Sequence, residues 1–368
     1  MRWAYVVFFA SVLTAQLALA AGEWKLIKIA GRDHVTLDNA AEFYGLGDVQ
    51  RVNNKGFAIK QGLRSLRGQA GSVEFYINNL KFNLSYPIAE HDGKLCITRM
   101  DLTKVVEPVL RPGKIKNAES IDTIILDPGH GGHANGAYSP YGHEKDFALD
   151  VAQRTRLLLV AAGYKVHMTR TADVFVPLEE RTRFANKFEN ALFISIHFNS
   201  GGAGTGLETY TLAPRGVPSM MADGPRVSDL EQCPGNARDS ENIALATATH
   251  AALVVRSKMY DRGIKRARFV VIRDIKIPGV LIEGGFLSNS YDAKLIATPA
   301  YRQQMASSIV QAIANYRRAL APKLDVASAG PGLREMPTVE TSEAKPEPSA
   351  PADPAPAAEP TVITPTTN

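Results

Sequence analysis

Thr123-Ile124-Ile125-Leu126-Asp127-Pro128-Gly129-His130-Gly131-Gly132 marks the change of texture that decides the fold. An apolar run over 123–126 stops at an acidic residue, a proline and a glycine-rich turn that holds one histidine. Downstream, helical spacing over 147–162 ends at Gly163, in the position where a helix commonly turns left-handed. A strand is expected near 164–168, a helix beginning at Pro177 and a strand over 192–197. A helix over about 241–260, strands at 269–272 and 280–282, and a last helix over 299–320 complete the series. Strands alternating with helices predict an α/β domain over 121–320, a mostly parallel sheet with helices on both faces. In such sheets the reacting groups collect beyond the carboxyl ends of the strands.

Four polar residues obey that rule. His130 lies just past the first strand, and His197 ends the run Phe193-Ile194-Ser195-Ile196-His197. Glu283 interrupts Val280-Leu281-Ile282-Glu283-Gly284-Gly285, and Glu144 lies 14 residues after His130, where a helix is about to begin. Two histidines and a carboxylate with an open fourth position make a common catalytic zinc set. The spacing is not that of a zincin helix, because Phe147 stands where the second histidine of that motif would be. Any such ligands come from separate loops. Each residue also has a plainer reading: a hydrogen-bonded strand-end histidine, a glutamate paired with Arg273, or a first-turn acid favoured by the helix dipole.

The motifs Asp127-Pro128-Gly129-His130-Gly131-Gly132, Glu144-Lys145-Asp146, Ser195-Ile196-His197-Phe198-Asn199 and Ile282-Glu283-Gly284-Gly285-Phe286-Leu287-Ser288-Asn289 together resemble the zinc-dependent N-acetylmuramoyl-L-alanine amidases. Thr169-Arg170 with Asp173, Arg181 with Ala185-Asn186, and Arg262-Gly263-Ile264-Lys265-Arg266-Ala267 are similar as well. The resemblance implies one zinc ion per catalytic domain, held by His130, Glu144 and His197, with Glu283 as the catalytic carboxylate. It implies hydrolysis of the amide between the lactyl group of N-acetylmuramic acid and the L-alanine of the peptidoglycan stem, as in autolysins. Peptidoglycan is then the partner, and an envelope activator protein is a second one it admits. His143 in place of Glu144 is the alternative ligand. His133, His34, His91, His167 and His250 are expected to be structural or surface positions.

The rest of the chain bounds these readings. With 368 residues, 45% hydrophobic and 21% charged, it has the composition of an ordinary globular protein, and collagen-like or wholly disordered readings fail. Residues 1–20 read as a signal peptide: Arg2, an apolar stretch, then Ala18-Leu19-Ala20. No later run approaches the roughly 20 apolar residues of a membrane span. Residues 321–368, with eight prolines from Pro337 onward, read as a disordered tail. Of the net charge of +5, the first 20 residues carry +1 and 321–368 carry −4, which leaves +8 on 21–320. A basic exported body suits an anionic wall polymer, and nothing supports nucleic acid. Export is expected to the periplasm ahead of the outer face of a thick wall.

Residues 21–112 are expected to form a small α+β accessory module, joined by a linker at 113–120. Its strand-then-helix echo, at 26–44 and again at 95–109, resembles copper amine oxidase N-terminal-like modules. Removing it is expected to weaken retention on sacculi while sparing soluble substrates. Cys96 and Cys233 are expected to be unpaired thiols. The proline-broken stretch 213–236 lacks a helical period, which argues against a self-blocking helix and for a loop that shapes substrate or meets a partner. Two other functions compete: a wall-binding protein on the same fold without catalysis, and a zinc peptidase cutting within the stem.

Overall fold

The computed structural model describes residues 24–115, 120–220, 226–257 and 259–321. The expected signal peptide, the centre of the expected linker and all but the first residue of the expected tail lie outside the described residues.

Four parallel strands lie side by side in the order Lys165–Met168, Thr123–Pro128, Ala191–Asn199 and Gly279–Phe286. Leu207–Leu212 continues the sheet antiparallel to the last of these, and Asp261–Ala267 follows parallel to Leu207–Leu212. The sheet is therefore mostly parallel, with one reversal. Its central strands are buried on both faces, and strict alternation divides their side chains between two cores. Ile124, Leu126, Leu192, Ile194, Ile196, Val280 and Ile282 pack with residues of the helices Glu144–Ala161, Asp239–Arg256 and Pro299–Leu320. Ile125, Phe193 and Leu281 face the opposite way, towards Ala185 of the helix Leu178–Ala185 and towards Val271, Ile272 and Ile275.

The strand expected at 269–272 is a correction: Val270–Arg273 is a single helical turn, and the strand is Asp261–Ala267. Arginine and lysine interleave with Ile264 in that strand, so it carries no apolar run to announce it. The helix expected to reach 260 ends at Arg256.

In the N-terminal region, Thr36 caps the helix Leu37–Tyr44 by accepting from the Asn39 amide, and Gly45 ends it at φ 58°. Thr98 caps the second helical stretch in the same way, accepting from the Asp101 amide. The two strands leading into these helices, Arg32–Thr36 and Lys94–Thr98, pair antiparallel. A meander of five strands from Gln50 to Asn83 joins the parallel sheet where Leu80–Asn83 meets Asp261–Ala267 in parallel, Phe82 opposite Ile264. The resulting sheet has eleven strands. Buried Arg266 and Asp101 approach to 3.6 Å across this junction, and Lys104 pairs with Asp239 at 2.9 Å. Buried Cys96 and partly buried Cys233 are both free thiols.

Candidate metal centre

The turn after Thr123–Pro128 places His130 at φ 59°, a left-handed conformation that costs a non-glycine residue on the order of 1 kcal/mol. Two arginines hold that turn. Buried Arg181 pairs with Asp127 at 2.7 Å and donates to the carbonyls of Pro128 at 2.8 Å and His130 at 2.6 Å. Arg170 donates to the carbonyls of Pro128 at 3.0 Å, Gly129 at 2.8 Å and Lys145 at 2.7 Å. Asp127 also accepts from Thr169 at 2.6 Å and Ser195 at 2.8 Å. Burial works against its charge, but Arg181 and Thr169 prevail and hold its carboxyl below the usual range. The Lys145 carbonyl is the next residue's backbone after Glu144, so Arg170 ties the His130 turn to the start of the Glu144 helix.

Glu144 is the first residue of the helix Glu144–Ala161, and its carboxylate is buried. Its Oε2 lies 3.0 Å from His130 Nε2 and accepts from the Ala137 amide at 2.8 Å. Its Oε1 lies 2.8 Å from His197 Nδ1 and accepts from the Phe198 amide at 3.1 Å. The possible donor atoms of His130, Glu144 and His197 all fall within 4.8 Å of one another. Glycines make this closeness tolerable. A Cβ on Gly129 would sit 2.3 Å from the His197 ring, and one on Gly136 would sit 2.4 Å from Glu144 Oε2. Two imidazoles and a carboxylate converging on one point form a donor set that fits a zinc ion. His143 lies outside the set. It precedes the helix with its ring 5.2 Å from that of Tyr138.

Glu283 stands directly across from His197 on the neighbouring parallel strand, and across from Glu208 on the other side. Its Oε2 is buried without a hydrogen-bond partner. Burial pushes its pKa up to about 8; His197 opposes the rise, and the Glu144 and Glu208 charges add to it. Burial disfavours the His197 imidazolium, yet the Glu144 hydrogen bond and charge raise it to about 9. Desolvation likewise opposes the Glu144 carboxylate, and the two histidines hold it well below the ordinary range.

Glu208 escaped the sequence reading. It is buried and takes Lys265 at 2.6 Å, Tyr210 at 2.7 Å, Asn199 at 3.3 Å and the Arg262 guanidinium. No local signal announced it, because Arg262 and Lys265, which pair with it from a neighbouring strand, read in sequence as surface cations. Among the other histidines, the His133 ring lies tilted against Phe175 at 4.2 Å and the His167 ring tilted against Phe188 at 4.4 Å. His250 is buried between Thr209 and Asp261, His34 is buried and bonds the Arg32 carbonyl, and His91 is exposed beside Asp92. The described parts of 213–236 follow the carboxyl end of Leu207–Leu212. That strand runs antiparallel to the Glu283 strand, so the stretch leaves from the rim opposite the triad.

A model of the N-acetylmuramoyl-L-alanine amidase family matches residues 124–315. The chain belongs to this family. Among the relatives of this amidase, AmiA of Salmonella typhimurium is 31% identical over 227 residues, 55% of this chain and 78% of that protein. AmiA of Escherichia coli is 29% identical over 244 residues, 60% of this chain and 84% of that one. AmiC of Neisseria meningitidis serogroup B is 34% identical over 246 residues, 59% of this chain and 57% of that protein. The matched span contains the triad, Glu283 and the arginines that hold the His130 turn. Among the described residues no helix is long and apolar enough to cross a membrane.

Proposed function

We propose that the chain hydrolyses the amide between the lactyl group of N-acetylmuramic acid and the L-alanine of the peptidoglycan stem, using zinc held by His130, Glu144 and His197. The convergence of those three side chains in a family member carries the reading. Zinc bound there supplies Lewis acidity and makes a nucleophile of water available at neutral pH. Glu144 and the two imidazoles hold the ion, and the arginine-tied carbonyls keep His130 aimed at it. Glu283 accepts the proton of the attacking water at its unpartnered Oε2, then delivers it to the departing L-alanine nitrogen. A carboxyl of raised proton affinity suits both transfers.

Export to the periplasm and contact with an envelope activator belong to the same proposal. The signal-like residues 1–20, the +8 charge of 21–320 and the location of peptidoglycan support export. The test is mass spectrometry of products from purified sacculi, with and without chelator. Stem peptides with a free L-alanine amine, lost on chelation and restored by zinc, are the expected result. Shortened stems would replace the amidase reading with a peptidase. Products only after adding an envelope extract would show the need for an activator.

A further inference from the structure

The strand order arranges side chains along the catalytic rim. At one end is the loop after Lys165–Met168, with Val174 and Phe175; next come His130, Tyr138 and Tyr141, after Thr123–Pro128. His197, Glu283 and Glu208 follow, with Arg262 and Lys265 last. One side of the triad is thus aromatic, its nearby Lys145 and Asp173 neutralising each other at 2.8 Å. On the other side Arg262 and Lys265 share the one carboxylate of Glu208, which leaves a single net positive charge.

The aromatic side is exposed and firmly built. Tyr138 and Tyr141 are 65% and 52% exposed, and Phe175 is 45% exposed. In the hairpin that carries the tyrosines, Tyr138 pairs with His143 and Ser139 with Gly142. Buried Ser139 donates to the Gly142 carbonyl at 3.2 Å and accepts from the Tyr141 amide at 3.3 Å. On the other flank, the His133 and Phe175 rings lie 4.2 Å apart. Both flanks touch the ligand loop. Ala137, next to Tyr138, donates to Glu144, and the Phe175 backbone lies so close to Gly132 that a Cβ there would meet it at 2.8 Å.

We propose that this aromatic rim is the glycan subsite: the muramic acid ring and its neighbours lie on Tyr138, Tyr141 and Phe175, and the stem peptide runs towards Arg262 and Lys265. The inference rests on the amidase reading above. The scissile amide is one lactyl group away from the sugar ring, so a sugar must lie beside the triad. An N-acetylated pyranose is neutral and has a flat C–H face, which pre-ordered aromatic rings match at little ordering cost. Stem carboxylates gain nothing from those rings and are drawn to the cationic side.

The test compares two soluble substrates with the same stem peptide, one on a short glycan chain and one carrying only the lactyl group. Wild type is expected to prefer the first. Tyr138→Ala/Tyr141→Ala, and separately Phe175→Leu, are expected to lower kcat/KM on it about tenfold, through KM, and to leave the lactyl peptide unchanged. An equal loss on both substrates, or no loss on either, overturns the subsite. Failure of wild type on both would count against the amidase reading instead. The subsite is then judged by sedimentation of Glu283→Gln protein with stem-free glycan chains. Binding that the added Tyr138→Ala/Tyr141→Ala changes abolish supports it, and absent or unaffected binding overturns it.

Discussion

The two histidines of the triad reach the same point by different means. His197 is delivered by a strand: parallel pairing sets it across from Glu283, and the register shifts only beyond it, before Asn199. His130 is delivered by irregular backbone, at positive φ, with carbonyls that no sheet neighbour satisfies. Arg170 and Arg181, which are far away in sequence, supply the missing donors. A strand end therefore positions a ligand at little extra cost, whereas a turn needs its own buried scaffold. Substitutions on the strand side should strike chemistry and spare the fold, and those on the turn side should strike fold and metal together.

Glu283→Gln gives the sharpest version of the strand side. Its Oε2 has no partner to lose, and the amide fills the same space. Turnover of peptidoglycan fragments is expected to fall roughly 10²–10⁴-fold, the usual loss for a general acid–base group. Zinc content by elemental analysis should stay at one per chain. A variant that loses zinc as well would erase the contrast.

Arg181→Met tests the turn side. It strands buried Asp127, and removing one member of a buried pair costs about 3–5 kcal/mol. Urea unfolding should read that loss, and the zinc content should fall with it. Adding Asp127→Asn should recover part of the stability but none of the zinc, because the His130 carbonyl still lacks its donor.

How much of this was legible follows the same division. The apolar runs at 123–126, 192–197 and 280–282 announced strands, and His197 and Glu283 stood out because they end such runs. His130 and Glu144 were flagged by position but bound together only through the family resemblance, since nothing in their spacing tells which loops meet. Arg170 and Arg181 were visible only as accompanying motifs, because a buried arginine looks in sequence like a surface one. Glu208 was missed for the related reason that Leu207–Leu212 is short and half polar in composition, though wholly buried. The 261–267 strand was hidden by its arginines and lysine. For the same reason the seam with the N-terminal meander, through Ile264 and Arg266, had no local signature.

Gly129→Ala addresses the one place where turn and strand end touch. The added Cβ would lie within 2.3–2.6 Å of three His197 ring atoms, a clash that only a shift of the turn or the imidazole can relieve. Zinc affinity, measured by competition with a chelator, is expected to weaken roughly 10–100-fold, as for other changes beside a ligand. An unchanged affinity would mean that the His130 turn adapts freely, and that its two arginines are less restrictive than their hydrogen bonds suggest.

A last effect concerns pH and the metal-free protein. Because burial raises the Glu283 pKa to about 8, the folded state holds a proton that the unfolded chain releases near its ordinary value of 4.5. Below that value both states are protonated and the side chain is neutral in its effect on stability. Between about 4.5 and 8 the unfolded state alone ionises, so stability is lost as pH rises, and the penalty levels off above 8. Glutamine cannot ionise and should carry no such penalty. Thermal midpoints of wild type and Glu283→Gln in chelator are therefore expected to agree near pH 4, with the variant pulling ahead from pH 5 to 8. Curves that stay parallel across that range would show that Glu283 is already ionised in the metal-free folded protein and that burial does not raise its proton affinity.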